Sequence, residues 1–393
     1  MGPEAKKCNV ISVTGRDRRF RIVSGPRHLR KSQIMIFLLL LALSAAPARA
    51  AVPAEMVAAS TPSAVATSTS PSAARGAQIY GTMCAVCHGA AGEGYKADRA
   101  PMLANSDLLA SASDYFLRLA VEEGRPGTTM SAWSGARRGP LTPGDVDALV
   151  NFIRGWQKSP PAQLDERPAA GSAKRGAKIF SARCLSCHGQ NGVGGQNLQI
   201  GSAQFLLGAG DGFLRRVIGK GLEGTAMRGF EDSLGAKGID DLLALMRGWS
   251  SGSAVRLAPA SPAPIPLGHV PLNPNGPAAE GFFAYPASTP ADAVKTQLDR
   301  GAKMTLIDAR PPADYVNEHI AGAVSVPFYD PAPYLSGLPR DSWLVAYCAC
   351  PHAESGTLAK KLLEAGFSKV TTIDEGLPYW KTRKYGVRAG LAP

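Results

Sequence analysis

The chain is predicted to be multidomain, with two all-α units followed by an α/β unit on a mainly parallel sheet. Three observations predict this. The stretch Cys84-Ala85-Val86-Cys87-His88 comes back as Cys184-Leu185-Ser186-Cys187-His188, within a longer repeat. Proline- and alanine-rich stretches separate blocks of regular apolar patterning. From residue 281 onward, strand-like runs alternate with helical ones. A length of 393 residues is ample for several cores.

The net charge of +12 invites a nucleic-acid reading, but the first fifty residues hold +8 of it. The charge therefore belongs to a leader, and no nucleic acid is expected as partner. Residues 34–45 form a short apolar run, preceded by Arg27, Arg30 and Lys31 and followed by Ala48-Arg49-Ala50. This is the order of a secretory signal peptide over residues 1–50, cleaved after Ala50. The run is shorter than a membrane span needs, and membrane association is expected only if it stays uncleaved. Arg18-Arg19 lie too far from it for a twin-arginine signal, and Met35 is an alternative start. Residues 51–74, rich in Ala, Ser, Thr and Pro, cannot bury a core and read as a disordered tether. Of seven cysteines, four lie in the repeated motif, Cys8 precedes the apolar run, and Cys348 and Cys350 form a separate pair. No disulfide framework is visible.

Cys-x-x-Cys followed at once by His is the attachment pattern for c-type haem. Positions i and i+3 share a helix face, so both thiols reach the vinyl groups at one edge of the ring. The next histidine then lies under the iron. A zinc site or a redox dithiol also uses Cys-x-x-Cys. The flanks favour haem: Arg75-Gly76-Ala77-Gln78-Ile79-Tyr80 precedes one motif and Arg175-Gly176-Ala177-Lys178-Ile179-Phe180 the other, at the same offset. Covalent attachment also places the folded product outside the cytoplasm, in agreement with the leader and a periplasmic location.

The first α unit spans residues 75–158. It opens on the motif helix and closes on an amphipathic helix begun by Pro143-Gly144-Asp145, with Val146, Leu149, Val150, Ile153 and Trp156 as its buried stripe. Between them, Gly124-Arg125-Pro126-Gly127-Thr128-Thr129-Met130-Ser131-Ala132-Trp133 is an irregular loop holding a soft, neutral thioether, as a second axial position needs. The region resembles a class I c-type cytochrome. The resemblance implies Cys84 and Cys87 as attachment residues, His88 as proximal and Met130 as distal iron ligand. It also implies that Pro101 offers its carbonyl to the His88 imidazole. After a linker at 159–171, the second unit (172–250) supplies Cys184, Cys187, His188 and, from Gly221-Leu222-Glu223-Gly224-Thr225-Ala226-Met227, the ligand Met227. Its closing helix ends on Arg247-Gly248-Trp249, as the first ends on Arg154-Gly155-Trp156. No proline follows His188 at the matching spacing, which leaves that imidazole without its expected partner. Residues 251–280 read as an extended Pro/Ala linker, so the flanking units are expected to behave as separate bodies.

In residues 281–393, strand-like runs at 305–308, 323–326 and 343–347 alternate with helical ones at 291–300 and 356–365. Cys348 falls just past a strand and just before a helix, the sheet edge where chemistry usually sits. This unit resembles a rhodanese domain, through Ile307-Asp308-Ala309-Arg310, Asp314-Tyr315, Glu318-His319-Ile320-Ala321-Gly322-Ala323, Val345-Ala346-Tyr347-Cys348 and Glu375-Gly376 with Trp380. The resemblance implies Cys348 as a nucleophile carrying sulfane sulfur as a persulfide. The loop Cys348-Ala349-Cys350-Pro351-His352-Ala353-Glu354-Ser355 departs from the family. It is one residue longer, lacks the family's arginine and adds a second thiol. His352 could partly replace the missing cation, whereas Glu354 works against an anion. Three readings stand: a sulfur-handling site with Cys348, Cys350 and His352, an inert fold used for docking, and a metal site on the same three residues.

Together these readings predict an exported carrier with two covalent haems, transferring electrons between redox partner proteins. Its C-terminal module handles a small sulfur compound or, alternatively, only docks a partner.

Overall fold

The computed structural model describes residues 71–97, 99–250, 264–268, 270–350 and 352–393. The expected leader, and the tether as far as residue 70, lie outside the described residues. Residues 71–74, assigned above to the tether, instead form the first turn of a helix.

In the first unit α1 (Pro71–Ile79) passes through a π-helical turn at Tyr80–Cys84 into α2 (Ala85–His88). Then come α3 (Ser106–Ser111), α4 (Asp114–Glu123) and α5 (Pro143–Arg154). The start of α5 is set locally. Thr142 Oγ1 accepts from the Asp145 amide, Asp145 returns a carboxylate oxygen to the Thr142 amide, and Pro143 fills the first helical position. Val146, Leu149, Val150 and Ile153 are buried as the periodicity predicts, and Trp156 packs edge-on against Tyr80. The second unit repeats the order: α6 (Ala173–Arg183), α7 (Leu185–His188), α8 (Ala203–Gly208), α9 (Asp211–Lys220) and α10 (Glu231–Ser250, kinked at Gly235).

The repeated Arg-Gly before each motif has a packing cause. α1 lies against α5 and α6 against α10, so close that a Cβ on Gly76 would come 2.2 Å from the Ala148 carbonyl oxygen. One on Gly176 would come 2.0 Å from that of Asp241. Only glycine permits this approach. The neighbouring arginines clamp the same crossings, Arg75 Nε to Asp145 at 2.7 Å and Arg175 Nε to Asp241 at 2.7 Å.

The α/β unit comprises α11 (Ala291–Asp299), β1 (Met304–Asp308), α12 (Pro312–Asn317), β2 (His319–Ile320), β3 (Val324–Ser325), β4 (Trp343–Tyr347), α13 (Ala353–Glu364), β5 (Val370–Thr372), α14 (Gly376–Thr382) and β6 (Val387–Arg388). The main sheet runs β3-β1-β4-β5 and is parallel throughout, with Ile307 opposite Val324 on one side and Ala346 on the other. β1 is buried along its whole length, which suits its near-continuous apolar sequence. A short antiparallel pair, β2 with β6, forms a separate two-stranded sheet.

Two expectations are corrected. The second half of the Pro/Ala stretch is not a free linker: Ile265 and Ala279 are buried, and Leu272 exchanges backbone hydrogen bonds with Met304 of β1. Nor do the units stand apart as separate bodies. One apolar cluster runs from Ile79 and Leu149 through Phe205 and Leu243 to Ile307, Phe328 and Leu358. A second cluster, around Leu306, Tyr347 and Trp380, fills the other side of the sheet. The apolar positions that seal the units against each other lie scattered through three segments, so no window of sequence displays them.

Candidate functional sites

Each motif helix carries its histidine to a backbone carbonyl. His88 Nδ1 lies 2.9 Å from the Pro101 oxygen, the contact the cytochrome resemblance implied. His188 Nδ1 lies 3.0 Å from the Leu198 oxygen. The missing proline therefore costs the second site nothing here: a carbonyl accepts whatever side chain its residue bears. In both sites Nδ1–H is the donor that a carbonyl requires, which leaves Nε2 with its lone pair free for a metal. Cys84, Cys87, Cys184 and Cys187 are in no disulfide among the described residues. The chain's own residues thus fit a ring bound through two thioethers and one imidazole.

The two methionine loops match bond for bond. Gly124 and Gly221 take φ of +63° and +79°, a left-handed turn out of α4 and α9. The Arg125 amide donates to Met130 O and the Leu222 amide to Met227 O, both at 2.8 Å. Thr128 Oγ1 bonds back to Arg125 O at 2.7 Å and Thr225 Oγ1 to Leu222 O at 2.8 Å. Each threonine hydroxyl also accepts from its methionine's amide, at 3.0 and 3.1 Å. Gly-x-x-Gly-Thr-x-Met is therefore a self-bonded loop that fixes where its thioether starts. Arg154 and Arg247 play the same part in the two units. Each donates to two carbonyls at the end of the preceding short helix (Leu109 and Ala112; Leu206 and Ala209) and to an aspartate, Asp114 or Asp211, at 2.7 Å.

The loops also join the units. Asn105 Nδ2 donates to Glu223 O at 2.7 Å, and Gln199 Nε2 to Gly127 O at 2.9 Å. Each methionine loop therefore touches the segment after the other unit's histidine, in a reciprocal arrangement.

In the α/β unit, Cys348 follows β4 and precedes α13. It is 1% exposed and Cys350 5%. Their sulfurs lie 3.3 Å apart, and Cys348 Sγ is 3.4 Å from Ser355 Oγ. Burial alone would push the Cys348 thiol up, but hydrogen bonds from the Cys350 thiol, Ser355 Oγ and the loop backbone outweigh it and bring its pKa down to about 6. Cys350 is raised, first by that same hydrogen bond and then by burial, so it stays the thiol donor. Glu354 is buried, with Oε2 3.9 Å from Cys350 Sγ. Burial first, and then the charge of Cys348, hold its carboxyl well above the usual range. It is therefore neutral beside the thiolate and does not repel an anion as the sequence suggested.

His352 does not complete the expected trio. It sits in a left-handed conformation at φ +59°, and its Nε2 faces Asp374 at 3.1 Å and Ser288 at 3.5 Å. Glu354 takes its place, and Cys348, Cys350 and Glu354 bring one ligand atom each within 4.8 Å of one another. The family signature residues mostly hold the fold. Arg310 makes a two-pronged pair with Asp308 at 2.9 and 2.6 Å, Tyr347 OH reaches Asp308, and each His319 ring nitrogen faces a backbone carbonyl. Gly376, at φ +64°, lets the chain pass the Cys348 carbonyl, where a Cβ would lie at 2.6 Å.

The cysteine loop is not remote from the first motif. α13, which starts just after it, packs on α2. Ser131, next to Met130, donates to Asp314 of α12, and Trp133 meets Phe328 and Tyr329 edge-on and tilted. Sequence reading placed Trp133 in the loop but had no signal for this docking role.

Comparison with known proteins agrees with this architecture. The family model "Cytochrome c" matches residues 73–157, "Cytochrome C oxidase, cbb3-type, subunit III" matches 171–246, and "Rhodanese-like domain" matches 290–383. The chain thus combines cytochrome c-type domains, a class that binds haem covalently, with a C-terminal rhodanese-like α/β domain. It is similar to the cbb3-type cytochrome c oxidase subunit FixP of Azorhizobium caulinodans, at 32% identity over 133 residues, or 32% of this chain and 41% of that protein. The FixP subunit of a Bradyrhizobium species is 30% identical over 164 residues, 39% of this chain and 52% of that protein. The chain therefore spans about half the length, or less, of these relatives. Among solved structures, the rhodanese-like domain of an Anabaena protein is 26% identical, covering 26% of this chain and 80% of that one at a TM-score of 0.25. No helix among the described residues is long and apolar enough to cross a membrane.

Proposed function

We propose that this protein is a periplasmic di-haem c-type electron carrier whose rhodanese-like module oxidises a small sulfur compound. Cys84, Cys87, His88 and Met130 would hold one haem, and Cys184, Cys187, His188 and Met227 the other. Held by one histidine and one methionine, each haem would supply outer-sphere one-electron transfer rather than oxygen chemistry. The observation that carries the di-haem reading is the duplicated scaffold: the same histidine–carbonyl bond and the same self-bonded methionine loop in both units. The reciprocal loop contacts support electron exchange between the units, and the cbb3-type matches support redox partners within an electron-transfer chain.

For the sulfur module, the supporting observation is the Cys348 thiol, lowered to about 6 in a loop whose following helix rests on α2. Cys348 would attack a sulfane sulfur and carry it as a persulfide, breaking its bond to the rest of the compound, which leaves as sulfite or a shortened polysulfide. The Ser355 hydroxyl and the Cys350 thiol would stabilise the attacking thiolate, and the two electrons released when the carried sulfur is then oxidised would pass, one each, to the two oxidised haems. The near-complete burial of Cys348 favours a second reading, an inert module that docks a partner. Mixing oxidised protein with polysulfide or thiosulfate, and following haem reduction and sulfur adducts by mass spectrometry, decides between them. Reduction that is lost in Cys348→Ser supports the enzyme. Equal rates in both, with no adduct, leave only the carrier.

A further inference from the structure

Carrying sulfur as a persulfide takes one thiol, and this site holds two. Cys350 Sγ lies 3.3 Å from Cys348 Sγ, both side chains are buried, and the two are not bridged. An S–S bond of about 2.05 Å is little more than an ångström shorter. Both cysteines lie between the end of β4 at Tyr347 and the start of α13 at Ala353, so the closing motion stays within one loop. The bridge would span only Cys348-Ala349-Cys350. A disulfide stabilises a fold by restraining the unfolded chain, least over a short loop, so this one is a weak staple. What it holds instead is an electron pair.

The two sulfurs are unequal. Burial raises Cys348, but hydrogen bonds from Cys350, Ser355 and the loop outweigh it and leave it a thiolate. Cys350, raised by its bond to that thiolate and then by burial, keeps its proton. A thiolate held against a thiol is the form that closes on oxidation. Access bears on the reductant. Cys348 is 1% exposed and Cys350 5%, which favours the smallest sulfur nucleophile, hydrogen sulfide, able to enter uncharged. The electrons also have a way out, because α13 packs on α2, which carries Cys87 and His88 of the first motif.

We propose that Cys348 and Cys350 are a redox-active pair, which takes electrons from hydrogen sulfide as a disulfide and gives them to haem as a dithiol. The inference rests on the sulfur-handling, di-haem reading and names a substrate for it. Hydrosulfide attacks Cys348 Sγ of the closed pair: a bond forms between those two sulfurs, the Sγ–Sγ bond breaks, and Cys350 leaves and takes up a proton. The neutral Glu354 carboxyl, its Oε2 3.9 Å from Cys350 Sγ, stands beside that leaving sulfur. Cys348 now carries a persulfide. It hands the outer sulfur to a nucleophile such as sulfite and is left as a thiolate. The Cys348 thiolate and the Cys350 thiol then close again, releasing one proton and two electrons, one to each oxidised haem.

The test uses the full-chain holoprotein without oxygen, treated with dithiothreitol or, after its removal, with ferricyanide, then quenched in acid, alkylated and digested. Mass spectrometry of the peptide holding Cys348 and Cys350 should find both thiols alkylated after dithiothreitol. After ferricyanide it should find them bridged, two hydrogens lighter than the dithiol and closed to the alkylating agent. Sulfide added to the bridged protein should leave a persulfide on Cys348, and sulfite added next should drive haem reduction. That reduction should run at least about tenfold above the direct background measured in Cys348→Ser, and Cys350→Ser should fall to the same background. The proposal is overturned if the peptide stays doubly alkylated after ferricyanide, if sulfide leaves no sulfur on Cys348 of the bridged protein, or if Cys350→Ser is reduced as fast as wild type. Polysulfide added to dithiothreitol-reduced wild type tests the sulfur-handling reading separately. No persulfide there would defeat that reading, and the bridged peptide would still decide the pair.

Discussion

Met130 and Met227 start from loops that bond to themselves, so shortening either side chain leaves its loop standing. Met130→Ala and Met227→Ala should each lower one potential and open one iron to small ligands such as cyanide or imidazole, with two haems per chain retained. Optical titration of each variant checks this; a loss of both haems from one substitution would speak against independent sites. At the cysteine site, Glu354 gives a pH dependence with a definite sign. Burial raises its folded pKa well above 4.5, so the unfolded chain releases this proton before the folded one does. Its contribution to stability is therefore full below the unfolded pKa and is lost as pH rises from there through the folded value. Glu354→Gln should flatten that fall in urea unfolding and make the protein more stable than wild type at pH 8.

Among the helices, the close crossings in each helical unit depend on glycine, and the Arg-Gly-Trp end of the second unit does not. Gly76→Ala and Gly176→Ala would drive a methyl group into the facing carbonyl, 2.2 and 2.0 Å away. Each should destabilise its unit by about 1–3 kcal/mol, the usual cost of overpacking. Gly248 is exposed, and a Cβ there meets nothing within 4 Å. Gly248→Ala should therefore be neutral, or stabilising by up to about 1 kcal/mol, because alanine loses less freedom in a helix. Thermal unfolding followed in the haem band separates the two outcomes. The repeats looked alike in the sequence; only the crossings distinguish a glycine that must stay from one that is replaceable.

At the scale of the molecule, the α/β module is docked through the first helical unit. Ser131 and Asp314 stand 183 positions apart in sequence and share a hydrogen bond. Burial raises the Asp314 carboxyl, and the Arg310 charge opposes that. A double-mutant cycle of Ser131→Ala with Asp314→Asn should give a coupling of about 0.5–3 kcal/mol in the stability of the intact chain, as for residues in one network. Strict additivity would mean that the two units unfold independently.

The sequence by itself determined the order of the units, the haem-binding class of the helical ones, the methionine loops and the parallel α/β module. These features were legible because they are local: Cys-x-x-Cys-His answers to one helical turn, Gly-x-x-Gly-Thr-x-Met to one loop, and strand and helix periods to a dozen residues. Tertiary structure decided what depends on atoms without identity or on pairs far apart. The His188 partner is a backbone carbonyl, which any residue at 198 would offer, so a missing proline signalled a gap that the fold does not have. Glu354 took the place expected of His352 because the turn at 352, not the composition of the loop, sets which side chain faces the sulfurs. The segment after residue 264 reads as a linker by composition, yet backbone hydrogen bonds to β1, which no side chain advertises, fasten it to the sheet.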